Sequence, residues 1–302
     1  FLTTPKMTTG RDLTLRCYLE KAQKQLQDKG FTSPREEARQ IVSGVAHLEL
    51  AFQLANPEHA LDIDTLNRLN NALALRLEHV PLQQIAGGAW FYDLWFQVSD
   101  KVLSPRPETE LLVEEAYRYS RQINNRQAAD QPIRILDAFT GTGAVGISLS
   151  QRLWREGIPN YLVLSDISPE AAKLAESNAT RYLERDAFHV ETCDLWPREN
   201  GRYDLLTANP PYIPSGEIET LMAEVSVHEP HIALDGGLDG LLYYRRLALE
   251  ARDYLHDGGA LYIEIGAGQS GEVEQLFQQQ GWEKMRVVKD LSGHDRILSF
   301  CR

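Results

Sequence analysis

The segment Asn209-Pro210-Pro211-Tyr212 has the residue types needed to hold a planar NH2 group. It follows an apolar run, residues 203–208, that is typical of a buried strand. Because proline fixes φ, lacks an amide N–H and keeps the preceding residue extended, Asn209 and Pro210 have few conformations to adopt. The Asn209 side-chain carbonyl and the Pro210 backbone carbonyl would then present two acceptors beside the Tyr212 ring. We therefore predict Asn209, Pro210 and Tyr212 as catalytic and all four residues as substrate-binding, although a proline-rich turn has the same local pattern.

Three further strand ends carry residue types that suit a cofactor containing a nucleoside. The first strand is followed by the glycine-rich residues 139–143, and glycines let a ligand approach the backbone where a helix begins. The second strand ends in Asp166, whose carboxylate could accept both hydroxyls of a ribose. The third ends in Asp194-Leu195, where Asp194 could accept from an adenine amino group while Leu195 packs on the ring. The predicted cofactor-binding residues are Phe139, Thr140, Gly141, Thr142, Gly143, Asp166, Asp194, Leu195 and Asn209.

The same glycines also fit a different class of site. Residues 141–146 match the G-x-G-x-x-G pattern of nicotinamide dinucleotide binding, and Asp166 lies 20 residues beyond Gly146. Taken alone, these features favour a dehydrogenase. A dehydrogenase, however, has no use for the Asn209–Tyr212 segment, which would hold an NH2 group. S-adenosyl-L-methionine and methyl transfer to a planar nitrogen account for all four strand ends.

The elements that must position these residues alternate between strands and helices from residue 133 onward. This alternation predicts an α/β fold with a mostly parallel, doubly wound sheet that binds ligands at the carboxyl ends of its strands. The short connection 290–295 predicts that the last two strands form an antiparallel pair. We predict strands at 133–139, 161–166, 187–193, 203–208, 259–266, 282–289 and 296–301, and helices at 143–156, 168–183, 238–256 and 268–280.

The amino-terminal part of the chain has a different pattern. Apolar residues recur at helical spacing over residues 11–84, and residues 33–36 predict a capping box with proline at the first helical position. The following segment is rich in aromatic residues and β-formers, which predicts a hairpin. We therefore predict a helical bundle for substrate recognition at 1–84, a β-hairpin linker at 85–106 and a catalytic domain at 107–302.

Composition narrows the classes of function. The 302 residues are 43% hydrophobic and 25% charged, and no stretch approaches the roughly 20 apolar residues of a membrane span or looks like a secretory signal. The three cysteines lie far apart, which disfavours a disulfide framework or a zinc site and fits a reducing compartment. We expect a cytoplasmic protein with no metal site and no membrane association.

The net charge of −12 lies entirely beyond residue 84, because the first 84 residues hold ten basic and ten acidic side chains. An acidic catalytic part is a poor match for nucleic acid, whose binding depends on neutralising phosphates. It suits a basic or neutral protein partner. We therefore expect a monomer that acts on a protein and does not bind nucleic acid directly.

Several segments together resemble the release-factor glutamine methyltransferases, the PrmC or HemK family. The resemblance extends over residues 33–302. The Asn-Pro-Pro-Tyr segment is shared with adenine-N6 methyltransferases, whereas residues 104–110 and 228–240, together with a helical amino-terminal domain, are more specific. The resembling segments are residues 104–110 (SPRPETE), 166–171 (DISPEA), 209–214 (NPPYIP), 228–240 (HEPHIALDGGLDG), 263–266 (IEIG) and 289–296 (KDLSGHDR).

The resemblance implies a seven-stranded Rossmann-like methyltransferase domain with a small helical amino-terminal domain. It also implies S-adenosyl-L-methionine as the methyl donor, with S-adenosyl-L-homocysteine as the product. The implied acceptor is the side-chain amide N5 of the glutamine in the Gly-Gly-Gln loop of class 1 peptide release factors. Under this interpretation Arg106 either meets the cofactor carboxylate or forms an ion pair that holds the hairpin. Glu229 and Asp235 are structural or order loops, and catalysis by either is the alternative.

One residue departs from the family pattern. The glycine loop of the family usually begins Asp-Leu-Gly-Thr-Gly, and here Phe139 stands where a glycine is expected. Its side chain could crowd the methionine end of the cofactor or pack beneath it. Two other functions remain open. A nucleic-acid adenine-N6 methyltransferase could use the same Asn-Pro-Pro-Tyr site but would need a basic groove, and only Phe139 favours a catalytically idle binding module.

Overall fold

The computed structural model describes residues 14–125, 131–198 and 201–302. The contacts between residues divide the chain into two compact units, one that ends at Gly88 and one that spans Ala89–Arg302. The boundary lies inside residues 85–106, the segment predicted as a linker.

The first unit packs helices around a small apolar core. Side chains at helical spacing, such as Leu15, Ile41 and Leu69, are fully or almost fully buried there. The helix predicted after residue 33 begins at Pro34, but the Ser33 side chain makes no capping hydrogen bond, so the prediction of a capping box is wrong. The described helices of this unit are α1 (Leu15–Asp28), α2 (Pro34–Ala46), α3 (Leu50–Ala55), α4 (Ile63–Leu77) and α5 (Leu82–Ala86).

A two-stranded hairpin follows, formed by β1 (Gly88–Phe91) and β2 (Leu94–Gln97). Its turn residues Tyr92 and Asp93 both have positive φ, 50° and 64°, as tight hairpin turns require. Phe91 and Phe96 are buried in the core of the second unit.

The second unit is built on a seven-stranded sheet with the strand order β5-β4-β3-β6-β7-β9-β8. The first five strands in this order are parallel, and β9 is antiparallel to both of its neighbours. The α/β fold class and the antiparallel end of the sheet are therefore confirmed. The strands are β3 (Ile133–Ala138), β4 (Asn160–Asp166), β5 (Phe188–Thr192), β6 (Tyr203–Ala208), β7 (Leu255–Glu264), β8 (Glu283–Lys289) and β9 (Asp295–Cys301).

The chain runs from β3 to one side of the sheet and later from β6 to the other, so the direction of winding reverses between these two strands. Ala138 at the end of β3 pairs with Ser165 of β4 and with Ala208 of β6, which brings the three carboxyl ends level. Ligands bind in such a crevice in doubly wound sheets. The helices around the sheet are α6 (Glu110–Asn124), α7 (Ala144–Arg155), α8 (Pro169–Tyr182), α9 (Ala223–Ser226), α10 (Leu242–Glu250) and α11 (Ser270–Gln279).

One predicted helix is shorter than expected. The helix predicted at 238–256 begins at Leu242, because Gly240 takes a φ of +74° beside the backbone of Tyr212 and cannot be helical. It is followed by a 3-10 turn, Ala251–Tyr254, and β7 begins at Leu255 rather than at 259. Among the described residues, no helix is both long and apolar enough to span a bilayer.

Candidate active site

A cavity opens at the carboxyl ends of β3, β4 and β6. Concave sites lined by apolar side chains and a few polar groups are typical of small-molecule binding. Three predicted site residues, Gly143, Pro210 and Tyr212, do not line it. The predicted site residues that do line it are Phe139, Thr140, Gly141, Thr142, Asp166, Asp194, Leu195, Asn209 and Pro211.

The glycine loop is anchored by a buried carboxylate at the end of β3. Asp137 accepts hydrogen bonds from the hydroxyls of Thr140 (2.6 Å) and Thr207 (2.7 Å) and from the amide of Gly146 (3.1 Å). Burial raises the pKa of Asp137 to about 6, against the lowering effect of these three donors. This residue joins β3, β6 and the first turn of α7, and it was not among the predicted site residues.

Phe139 adopts a left-handed conformation, with a φ of 57°. L-residues with a Cβ are strained there, whereas glycine is not. The ring is half-buried, lines the cavity and meets the Tyr243 ring edge to face at a centroid distance of 5.0 Å. Tyr243 also lines the cavity, so the two aromatic rings form one wall together.

Asp166 is fixed by the backbone on both sides. Its Oδ2 accepts from the amide of Gly141 and its Oδ1 from the amide of Ser168, each at 2.9 Å. Burial raises its pKa, and these amide donors lower it. Each carboxylate oxygen keeps a free lone pair, so the group can still accept from two hydroxyls of a ligand.

The turn after β5 presents one apolar and one acidic residue to the cavity. Leu195 is buried at a φ of 68°, and its carbonyl accepts from the Ser165 hydroxyl at 3.0 Å. Asp194 is exposed and pairs with Arg246 at 2.7 Å between Oδ1 and Nη1. Asp194 keeps lone pairs on both carboxylate oxygens beside this ion pair, so the predicted contact with an adenine amino group is compatible with it.

Asn209 is held by two residues that lie far away in the sequence. Its Nδ2 donates to the hydroxyl of Thr109 at 3.4 Å. The carboxylate of Glu264, at the end of β7, lies beside Thr109 and Asn209, and both side chains lower its pKa. The amide NH2 thus faces the protein. Neither Thr109 nor Glu264 was predicted, although an acidic residue inside the apolar strand Leu255–Glu264 is a recognisable signal of a buried polar site.

Tyr212 packs against the protein interior. A Cβ added at Gly266 would lie 3.0 Å from Cδ2 of Tyr212, so a larger residue there would press on the ring. Burial raises the pKa of Tyr212 to about 12, which keeps the hydroxyl neutral. Gln269 donates from Nε2 to the Tyr212 carbonyl at 3.0 Å and accepts from the Gly266 amide at 2.9 Å.

The segment 228–240 wraps around the Asn-Pro-Pro-Tyr corner. Ile213 and Asp235 form a parallel bridge, and the Asp235 carboxylate accepts from the Ser215 hydroxyl (2.6 Å) and the Gly237 amide (2.9 Å). A Cβ on Gly240 would lie 2.4 Å from the Tyr212 carbonyl oxygen. The glycines of this segment are therefore required by close backbone approach, and Asp235 orders the loop.

Arg106 lines the cavity and forms an ion pair with Glu229, at 3.0 Å between Nη2 and Oε1. The Glu229 side chain is fully buried, and burial raises its pKa to about 7. The positive charge of Arg106 and a hydrogen bond from the Ser104 backbone act against this rise. Of the two roles considered for Arg106, the ion pair is observed. The described residues contain no group of three or more His, Cys, Asp or Glu that could hold a metal ion.

Comparisons with known proteins agree over nearly the whole chain. A family model described as the PrmC N-terminal domain matches residues 18–87. The release factor glutamine methyltransferase of Agrobacterium fabrum is 35% identical over 98% of this chain and 100% of its own length. That of Caulobacter vibrioides is 35% identical over 92% of each chain. Among solved structures, the hMettl16 catalytic domain in complex with MAT2A 3'UTR hairpin 6 has a TM-score of 0.52 at 14% identity and covers 80% of this chain and 82% of that one, which shows a shared fold.

Proposed function

The chain belongs to the release factor glutamine methyltransferases, and we propose that it transfers a methyl group from S-adenosyl-L-methionine to the glutamine amide N5 of the Gly-Gly-Gln motif in class 1 peptide release factors. The observation that carries this proposal is the orientation of Asn209. Its NH2 group donates to the Thr109 hydroxyl, so its carbonyl oxygen is left for a ligand in the cavity. An acceptor at this point suits a donor such as a primary amide.

The residues around the glycine loop fit the proposed cofactor. Asp166 has lone pairs for the two ribose hydroxyls. Leu195 offers an apolar surface for adenine, and Phe139 and Tyr243 line the cavity. When bound, S-adenosyl-L-methionine supplies a methyl group activated by a sulfonium charge. We expect Asp166→Ala to weaken cofactor binding measured by calorimetry at least about tenfold, because two hydrogen bonds to a charged acceptor are lost. Unchanged affinity would contradict the assignment of Asp166 to the ribose.

The acceptor side of the proposed reaction depends on positioning. An amide nitrogen is a poor nucleophile because its lone pair is delocalised into the carbonyl. In the proposal, the Asn209 side-chain carbonyl and the Pro210 carbonyl accept the two N–H bonds, and Tyr212 holds the amide plane. Such fixed geometry can supply up to roughly 7–11 kcal/mol of barrier reduction. Neither acceptor is a strong base, so in the proposal the methylated amide carries the surplus proton after transfer and releases it to water.

The test uses labelled S-adenosyl-L-methionine and a purified class 1 release factor. We expect label in the release factor, none in a release factor whose Gly-Gly-Gln glutamine is replaced by alanine, and none in DNA or RNA. We further expect Asn209→Ala to abolish transfer while its affinity for the cofactor stays within about threefold, because Asn209 mainly orients the acceptor. Label in nucleic acid would favour the adenine-N6 activity instead, and near-normal turnover of Asn209→Ala would refute the role of Asn209.

The helical amino-terminal unit is proposed to recognise the release factor, in keeping with its match to the PrmC N-terminal domain. It carries its own apolar core and none of the residues that line the cavity. We assign it binding rather than chemistry for this reason.

A further inference from the structure

Glu264 is a buried carboxylate directly beside the acceptor site. Its side chain is 1% exposed, and its neighbours Ile263 and Ile265 are fully buried. A charged group in such surroundings is unfavourable unless hydrogen bonds and opposite charges compensate. Its Oε2 atom is buried and accepts from no described group. The proposed transfer step does not use this residue, so its presence needs a separate explanation.

The groups that face Glu264 come from four elements. The turn Pro107–Thr109 contributes Glu108 and the Thr109 hydroxyl, and β9 contributes Arg296, which is itself paired with Asp290 at 3.0 Å. Tyr212 follows β6, and Tyr244 of α10 donates from its hydroxyl to the Glu264 carbonyl at 3.1 Å. The side chains of Thr109 and Asn209 also lie beside the carboxylate, and Asn209 donates from Nδ2 to the Thr109 hydroxyl at 3.4 Å.

These contacts decide which way the Asn209 carboxamide points. The oxygen and the NH2 group of an amide have nearly the same size, so hydrogen bonding selects between the two orientations. An ionised carboxylate only accepts, and it therefore favours the NH2 group of Asn209 and repels its oxygen. With the NH2 group turned to Glu264 and Thr109, the oxygen is the atom available to an NH2 group in the cavity.

We propose that Glu264 is a positioning residue, which acts directly and through the Thr109 hydroxyl to keep the Asn209 carbonyl oxygen directed to the substrate amide. The inference rests on the proposed function. A reversed Asn209 would present its NH2 group to the NH2 group of the substrate and would not accept from it. The negative charge of Glu264 favours hydrogen-bond donors over acceptors on the side chains that face it.

The pKa of Glu264 gives the inference a measurable pH dependence. Burial raises it to about 7, with Glu108 adding to the rise and Thr109, Arg296 and Asn209 opposing it. Protonation removes the charge and adds a donor to the carboxyl group, so the orientation of Asn209 is no longer enforced. The turnover number should therefore rise with pH through about 7.

The experiment compares Glu264→Gln with Glu229→Gln, because the second removes the other buried carboxylate whose pKa is near 7. Turnover is measured from pH 5.5 to 9 with release factor and labelled S-adenosyl-L-methionine. We expect Glu264→Gln to lower kcat about tenfold, to leave KM and cofactor affinity nearly unchanged, and to lose the rise through pH 7. We expect Glu229→Gln to keep that rise. Thr109→Val, which removes the bridging hydroxyl at similar volume, should lower kcat in the same way.

The outcomes separate the inference from the proposed function. Active wild-type protein together with an unaltered kcat and pH profile in Glu264→Gln overturns the inference alone. Wild-type protein that transfers no methyl group to the release factor overturns the proposed function and the inference with it. If Glu264→Gln does not fold, as judged by thermal unfolding, a wild-type kcat in Thr109→Val overturns the inference.

Discussion

Phe139 combines an unfavourable backbone conformation with a favourable ring contact. Its φ of 57° is strained for any residue with a Cβ, at roughly 1–2 kcal/mol. The edge-to-face contact with Tyr243 offsets part of this, since such pairs contribute about 0.5–1.5 kcal/mol. The two effects are similar in size, which explains how a phenylalanine is accommodated where the family usually has glycine.

The balance predicts an unusual order of stability for two variants. Phe139→Ala loses the ring contact and keeps the backbone strain, whereas Phe139→Gly loses the contact and releases the strain. We expect Phe139→Gly to be the more stable of the two by about 1 kcal/mol in urea unfolding. Helix and strand interiors show the opposite order, so an alanine variant at least as stable as the glycine variant would contradict the strained conformation.

The sequence placed individual residues in the cavity where the pattern that marks them lies within a few neighbouring residues. The glycine loop, Asp166 and Asn209 each follow a strand end, and the structure brings all of them to one cavity. The partners of Asn209 were not predicted, because Thr109 and Glu264 meet it only after the sheet has formed. Asp137 was missed for the same reason, since one of its donors, Thr207, belongs to a strand that comes much later in the chain.

At the level of elements, the loop 228–240 holds the Asn209–Tyr212 segment in place, because its glycines allow a close backbone approach. Gly240 has a φ of +74° and touches the Tyr212 carbonyl, and Gln269 joins Tyr212 to Gly240 and Gly266. These contacts hold the Asn209–Tyr212 segment in addition to the hydrogen bond between Asn209 and Thr109. Its geometry depends on contacts between distant loops rather than on the two prolines alone.

This close approach predicts a selective loss of turnover in Gly240→Ala. The added Cβ would lie 2.4 Å from the Tyr212 carbonyl oxygen, so the corner must shift. We expect kcat to fall about 100-fold, as is typical of small displacements of reacting groups. Cofactor affinity should stay within about threefold, since residues 139–143 and Asp166 are not touched.

Gly216→Ala is the matched control for this prediction. It lies in the 3-10 turn Ser215–Thr220, which follows the Asn209–Tyr212 segment, and a Cβ there would meet nothing within 4 Å. Its kcat should equal that of the wild type. Equal activity of the two alanine variants would show that the close approach at Gly240 does not shape the site.

The elements themselves were largely predictable, and the exceptions have physical causes. Alternating apolar runs and helical periods gave the parallel sheet and its antiparallel end. The start of α10 was placed too early because the conformation of Gly240 depends on its contact with Tyr212, which lies in another segment. The prediction of a capping box at residue 33 was wrong, because the helix begins as expected but the Ser33 side chain makes no capping hydrogen bond.

For the whole molecule, buried carboxylates of the site compete with surface carboxylates in setting the pH of greatest stability. Burial raises the pKa of Asp137 to about 6 and of Glu229 and Glu264 to about 7. Stability from these groups is fully present below their unfolded pKa values, near 4, and is lost as pH rises through 6 to 7. Hydrogen bonds and ion pairs lower the pKa of other carboxylates, to about 2 for Asp239, and their contribution is lost only as pH falls below about 4.

We therefore expect the free energy of unfolding to be greatest near pH 5 and to decline toward pH 8. Urea unfolding at constant ionic strength measures this directly. Repulsion within a chain of net charge −12 acts in the same direction at higher pH. Glu264→Gln should reduce the decline between pH 5 and 8, and an unaltered slope in this variant would argue against a raised pKa at this position.

The single cavity that extends from Asp166 to Asn209 also matters for inhibition. In the proposed function both ligands would lie in this one space, so a bisubstrate compound that links an adenosine to a primary carboxamide would occupy both ends at once. Joining the two halves removes the entropy penalty of capturing them separately. The Asn209 carbonyl oxygen would select for the carboxamide over an ester, which has no N–H group to donate. Such compounds would separate this enzyme from other adenosine-dependent enzymes that lack the corner.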